Sequence, residues 1–87
     1  MVIGLTMVKV KPEHEKSFYR DLQSRAGIKD VYHLFGEYSF FLVMQAEGQA
    51  RLNQLLQDIE EEDRVIRTGP VMLANNELTD PSLLKLN

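Results

Sequence analysis

The chain has no cysteine among its 87 residues. That excludes a disulfide framework, a thiolate nucleophile and a cysteine-ligated metal, and it is compatible with a reducing compartment. Histidine is scarce: His14 and His33 fall in different segments, without the spacing of a transition-metal site. Ten Lys and Arg stand against thirteen Asp and Glu, for a net charge of −3. A chain of that sign lacks the basic stripe expected of a direct nucleic-acid reader. No apolar run exceeds Phe40-Phe41-Leu42-Val43-Met44, against the roughly 20 residues of a bilayer span. Met1-Val2-Ile3-Gly4 lacks the basic and apolar regions of a secretory leader. No G-x-S-x-G context surrounds Ser39, and no other local catalytic motif appears. These absences predict one cytoplasmic domain with no direct nucleic-acid partner, membrane anchor, metal or cofactor.

What is present is strand and helix periodicity. Residues 2–10, VIGLTMVKV, are apolar and β-branched in both alternating sets, which predicts a central strand. Pro12 suits the first turn of a helix, and Glu13 and Glu15 complement its positive end. This helix is expected to run to about Arg25, with Phe18, Leu22 and either Tyr19 or Ala26 inward and Gly27 as its stop. Residues 28–35 and 38–46 read as strands joined by a turn at Gly36-Glu37. Leu52, Leu55, Leu56 and Ile59 carry the i, i+3, i+4, i+7 spacing of a second helix over about 48–60. Residues 64–75 read as a last strand in which Pro70 marks an edge, a bulge or a break.

The order strand-helix-strand-strand-helix-strand predicts a ferredoxin-like α+β sandwich: four antiparallel strands with two helices on one face. The domain covers residues 1–75. Residues 76–87, with Leu83-Leu84-Lys85-Leu86, form a C-terminal tail expected to dock on a neighbouring subunit. A domain of this size buries only about 60–65 % of its unfolded surface. Two helices leave the second sheet face bare, yet Phe40 to Met44 are apolar on both sides. An exposed face of several hundred Å² is unusual in a monomer, so a face-to-face homodimer or higher homo-oligomer, barrel-like in assembly, is expected.

Val10-Lys11-Pro12, Val31-Tyr32, Gly36-Glu37-Tyr38, the Leu52–Ile59 helix and Val65-Ile66-Arg67-Thr68 together resemble the effector-binding (RAM) domain of Lrp/AsnC transcriptional regulators. The resemblance spans residues 2–75 and rests on order and spacing. It implies a stand-alone module without the helix-turn-helix of those regulators. By the same resemblance the module is non-enzymatic, binds a small amino-acid-like effector between subunits, and regulates transcription or metabolism through a partner such as a helix-turn-helix-containing regulator of that family. The implied effector residues are Gly36, Glu37, Tyr38, Ser39 and Thr68. Two positions depart from the family pattern: Ser39 stands where an aspartate is usual, and Pro70 where a second threonine is common. A neutral hydroxyl replaces the carboxylate that would hold an ammonium group. This implies weak binding of common amino acids, which Ser39→Asp would strengthen.

Other residues have competing readings. His33, between Val31 and Phe35 in one alternating set, suits a catalytic base or pH sensor, but a hydrogen-bonded histidine in the core or at an interface is the simpler reading. His14 is expected on the surface. Glu60-Glu61-Glu62-Asp63 lacks calcium-loop spacing and reads as a solvated acidic surface. The alternative function is a small cofactor-free enzyme of the dimeric αβ-barrel class, which would need His33 in a concave pocket with a second polar group in reach.

Overall fold

A computed structural model describes residues 1–75; the predicted tail, 76–87, lies outside the described residues. Strand β1 (Val2–Val10) leads through a 3-10 turn (Pro12–His14) into helix α1 (Glu15–Ser24). Strands β2 (Ile28–His33) and β3 (Phe40–Ala46) precede helix α2 (Gln49–Glu60), and β4 (Val65–Thr68) and β5 (Met72–Asn75) follow it. The sheet order is β2-β3-β1-β4, with β5 also paired to β1, and every pairing is antiparallel. This is the ferredoxin-like α+β fold.

Helix α1 starts one turn later than Pro12 because that residue opens the 3-10 turn, whose Glu15 N–H donates to the Pro12 carbonyl. It ends at Ser24, where Arg25 leaves the helical region at φ −82°, ψ 132°. Gly27 then reverses the chain at φ +91°. Phe18 and Leu22 are the buried stripe, with Tyr19 packed at its margin; Ala26 lies exposed beyond the helix.

The predicted last strand is broken in two. Gly69 and Pro70 interrupt it, since proline cannot donate to the ladder, and both halves lie along β1. Buried Thr6 holds the break: its hydroxyl donates between the carbonyls of Gly69 (3.1 Å) and Pro70 (3.2 Å). Strands β2 and β3 are also shorter than expected, because residues 34–39 form the loop between them.

Register separates the two faces. Val8 and Val10 on β1 and Phe40, Leu42 and Met44 on β3 are buried beneath Phe18, Leu22, Leu52 and Ile59. The alternate residues Ile3, Leu5 and Met7 pair with Gln45, Val43 and Phe41 on the opposite face. Tyr32 and Met72 extend that face through their pairing with Phe41 and Leu5. Helices cover only the first face. The second is largely apolar and half-buried at its centre, and more exposed at Tyr32 and Met72.

Candidate functional site

The β2–β3 loop is pinned at both ends. The Leu34 N–H donates to the Ser39 carbonyl and the Ser39 N–H to the Val8 carbonyl, each at 2.8 Å. Gly36 sits at the tip with φ +111° and open space where a Cβ would project. That conformation favours glycine, and it leaves the Gly36 backbone accessible. Phe35 beside it is 96 % exposed.

Glu37 and Tyr38 lean from this loop toward the end of β4. The Glu37 Oε2 is 3.8 Å from Arg67 Nη2, and the Glu37 side chain is 86 % exposed. The Arg67 guanidinium lies 5.3 Å above the Tyr38 ring, a cation–π arrangement. The Tyr38 hydroxyl approaches Gly69, where an added Cβ would meet it at 3.3 Å and the Met7 methyl at 3.6 Å. Gly69 is fixed there by its N–H, which donates to the Met7 carbonyl at 2.8 Å.

The five residues singled out by resemblance therefore divide. Glu37 and Tyr38 reach Arg67 at one rim of the uncovered sheet face, and Gly36 stays at the exposed loop tip. Ser39 is buried and spent on structure: its hydroxyl accepts the Val10 N–H at 3.0 Å. Thr68 pairs with Val8, on the helix-covered face, and its hydroxyl donates to Glu60 Oε2 at 3.1 Å. Arg67, Met7 and Lys9 join the rim without having been singled out from the sequence. Their signal was strand parity, because they occupy the alternation opposite to buried Val8 and Val10.

His33, expected in the core or at an interface, is not in the core of the chain. Strand β2 is the sheet edge, so its side chain is 56 % exposed, with Nε2 3.6 Å from Glu15 Oε1. Its ring stacks on Phe40 (5.2 Å between centroids) and Phe35 (5.7 Å). A groove of about 440 Å³ runs beside it, lined by Glu15, Lys16, Tyr19 and Phe40. A larger cleft of about 550 Å³, with Gly27, Lys29, Glu47, Arg51 and Leu55 among its walls, lies at the opposite end of the sheet. None of the five predicted site residues lines it. His14 is half-buried in its 3-10 turn.

The acidic stretch at the end of α2 is a solvated surface at Glu60, Glu61 and Asp63, which are exposed, while Glu62 is half-buried and engaged. Glu62 accepts Arg64 Nε at 2.8 Å, and Arg64 also reaches Asp21 at 2.7 Å. The Arg64 guanidinium caps the Phe18 ring at 5.1 Å. Hydrogen bonding to Glu62, then to Asp21, holds its pKa above the ordinary arginine value. Among the described residues, no group of three or more His, Asp or Glu stands together as a metal-ligand cluster. Among them too, no helix is long and apolar enough to cross a membrane.

No family model matches the chain, and no curated protein sequence matches it. Solved structures do. FFRP-DM1 superposes with a TM-score of 0.79 and 20 % identity, over 86 % of this chain and all of that one. The hypothetical protein PHS023 of Pyrococcus horikoshii gives 0.77 and 20 %, over 86 % of this chain and 90 % of that one. AsnC of E. coli gives 0.72 and 20 %, over 84 % of this chain but only 50 % of AsnC, so the chain spans half its length. At this identity the likeness establishes architecture: the chain has the fold of these structures.

Proposed function

We propose that this chain is a ligand-sensing and oligomerisation module of the Lrp/AsnC type, working by binding and not by catalysis. The carrying observation is the uncovered sheet face, where Ile3, Leu5, Met7, Phe41 and Val43 form a continuous apolar surface in cross-strand register. Burial at roughly 25 cal/mol per Å² favours covering such a face, and a second copy supplies a self-complementary one. The loop at Gly36, Glu37 and Tyr38 borders this face, so pairing two copies creates a cleft at its rim. A small effector binds there, Thr68 and Ser39 hold the flanking strands in register, and the effector state passes to a regulatory partner. Residues 1–75 form the module. The resemblance to AsnC in fold supports the regulatory part of this reading.

Light scattering at micromolar concentration tests the assembly. A dimer or larger species is expected, and a monodisperse 10.0 kDa monomer would end the proposal. A thermal-shift screen tests sensing: a ligand present at 100 times its Kd adds about 2.7 kcal/mol.

A second reading, a cofactor-free enzyme, draws on the His33 groove, where Glu15 gives the imidazole a carboxylate neighbour. At 3.6 Å the pair is looser than a hydrogen bond. The groove also opens on the helix side, away from the proposed interface. Turnover abolished by His33→Ala would favour the enzyme.

A further inference from the structure

We infer that the rim at Tyr38 is an oxyanion site whose ligand is a small carboxylate, held by Arg67 and Lys9. The inference rests on the proposed function and names the chemistry of that same site. Lys9 and Arg67 are directly opposite each other across the β1–β4 ladder, on the uncovered face. Like charges at directly opposed positions are destabilising, so an anion seated between them would relieve a repulsion. Among the described residues Lys9 makes no ion pair. Arg67 has only Glu37, at 3.8 Å and on a side chain 86 % exposed. That contact is loose, and a better-placed anion would displace it.

The guanidinium is also oriented. It lies 5.3 Å over the Tyr38 ring, and the ring is backed by Gly69 and Met7. A planar fork held in this way suits bidentate binding of a carboxylate, with the lysine ammonium as a second point charge. The chain as a whole is net −3 and repels anions at long range, so any attraction here comes from these two cations. This reverses the demand placed on the site by the missing aspartate. With Ser39 buried and neutral, Glu37 is, among the described residues, the only carboxylate at the rim that could hold an ammonium group, and the Tyr38 face is already taken by Arg67.

The probes are succinate, inorganic phosphate and uncharged succinamide, titrated by calorimetry and by NMR of the Tyr38 and Met7 signals. The expected result is that succinate binds at millimolar concentration or below and shifts both signals, while succinamide does not. Arg67→Gln should weaken succinate about tenfold, as loss of a charge-assisted contact does; Lys9→Gln should weaken it by a smaller factor. Phosphate is expected to bind more weakly; if it binds more tightly and is lost in Arg67→Gln, the oxyanion site stands but the carboxylate assignment is overturned. If neither anion moves Tyr38 or Met7, or if Arg67→Gln binds succinate as the native chain does, the inference is wrong. Light scattering on the same samples separates the two levels. A dimer that ignores both anions removes only this site, whereas a monomer removes the assembly on which the proposed function depends.

Discussion

Ser39→Ala is the most direct test of how the site loop is held. The Val10 N–H sits at the end of the β1–β3 ladder, beyond the Val8–Phe40 pair, and finds its acceptor 3.0 Å away in the Ser39 hydroxyl. Val10 is fully buried and Ser39 is 3 % exposed, so water cannot replace a lost hydroxyl without opening the sheet. Leaving a buried donor unpaired costs about 1–3 kcal/mol. In a domain of this size each kcal/mol lowers Tm by about 4–8 °C. Ser39→Ala should therefore melt at least about 4 °C below the native chain, followed by circular dichroism at one fixed protein concentration, because assembly makes Tm concentration-dependent. Ser39→Asp should fall further, since it carries a carboxylate into the same buried position. On the family pattern that aspartate would strengthen amino-acid binding; its burial here predicts no gain. A Ser39→Ala melt superimposable on the native one, or an Asp variant more stable than the Ala variant, would refute the structural role. Tighter amino-acid binding by Ser39→Asp would show that residue 39 reaches the ligand after all.

Three further outcomes are expected. Val43→Glu places a charge between Leu5 and Asp30 on the uncovered face and should yield a folded monomer of about 10.0 kDa in sedimentation; an unchanged mass would move the interface elsewhere. Gly27→Ala should lower the urea midpoint by the equivalent of about 1–2 kcal/mol, because φ is +91° and the new methyl would stand 2.8 Å from Leu55 Cδ2; no change would mean that the turn relaxes freely. Arg64→Ala removes the bridge between α1 and the α2–β4 connection and should cost about 1 kcal/mol, less in high salt because ion pairs are screened; a loss independent of salt would assign the effect to packing on Phe18.

The helices and the central strand were legible because burial repeats along them. Leu52, Leu55 and Ile59 are buried as their spacing required, and Val2–Val10 is a single central strand. Pro70 marked a real break, but nothing local indicated that Thr6 would bridge it from across the sheet. The site was less legible. Gly36 and Tyr38 stood out by resemblance, yet the inward turn of Ser39 depends on where the β1–β3 ladder ends. The partnership of Lys9 with Arg67 is a property of register between neighbouring strands that are far apart in the sequence. Single-strand parity could have placed both on the uncovered face, but not opposite one another. His33, read as a core or interface histidine, shows what alternation leaves out: only the strand order puts β2 at the sheet edge, where α1 leaves the ring half in water.

On the proposed function, an apolar face and a cationic rim would make assembly and ligand binding one linked equilibrium. Pairing two copies across Leu5, Phe41 and Val43, as proposed, would draw the rims of both sheets out of water. Lys9 and Arg67 oppose that step, because desolvating adjacent like charges costs free energy that apolar burial must offset. A carboxylate seated between them reduces the opposition, and by reciprocity assembly tightens the grip on the carboxylate. The coupling needs no hinge or lid. It follows from two cations placed in register at the margin of a surface that gains by being covered, and its sign is fixed: ligand should raise the dimer fraction, and dilution should weaken ligand binding.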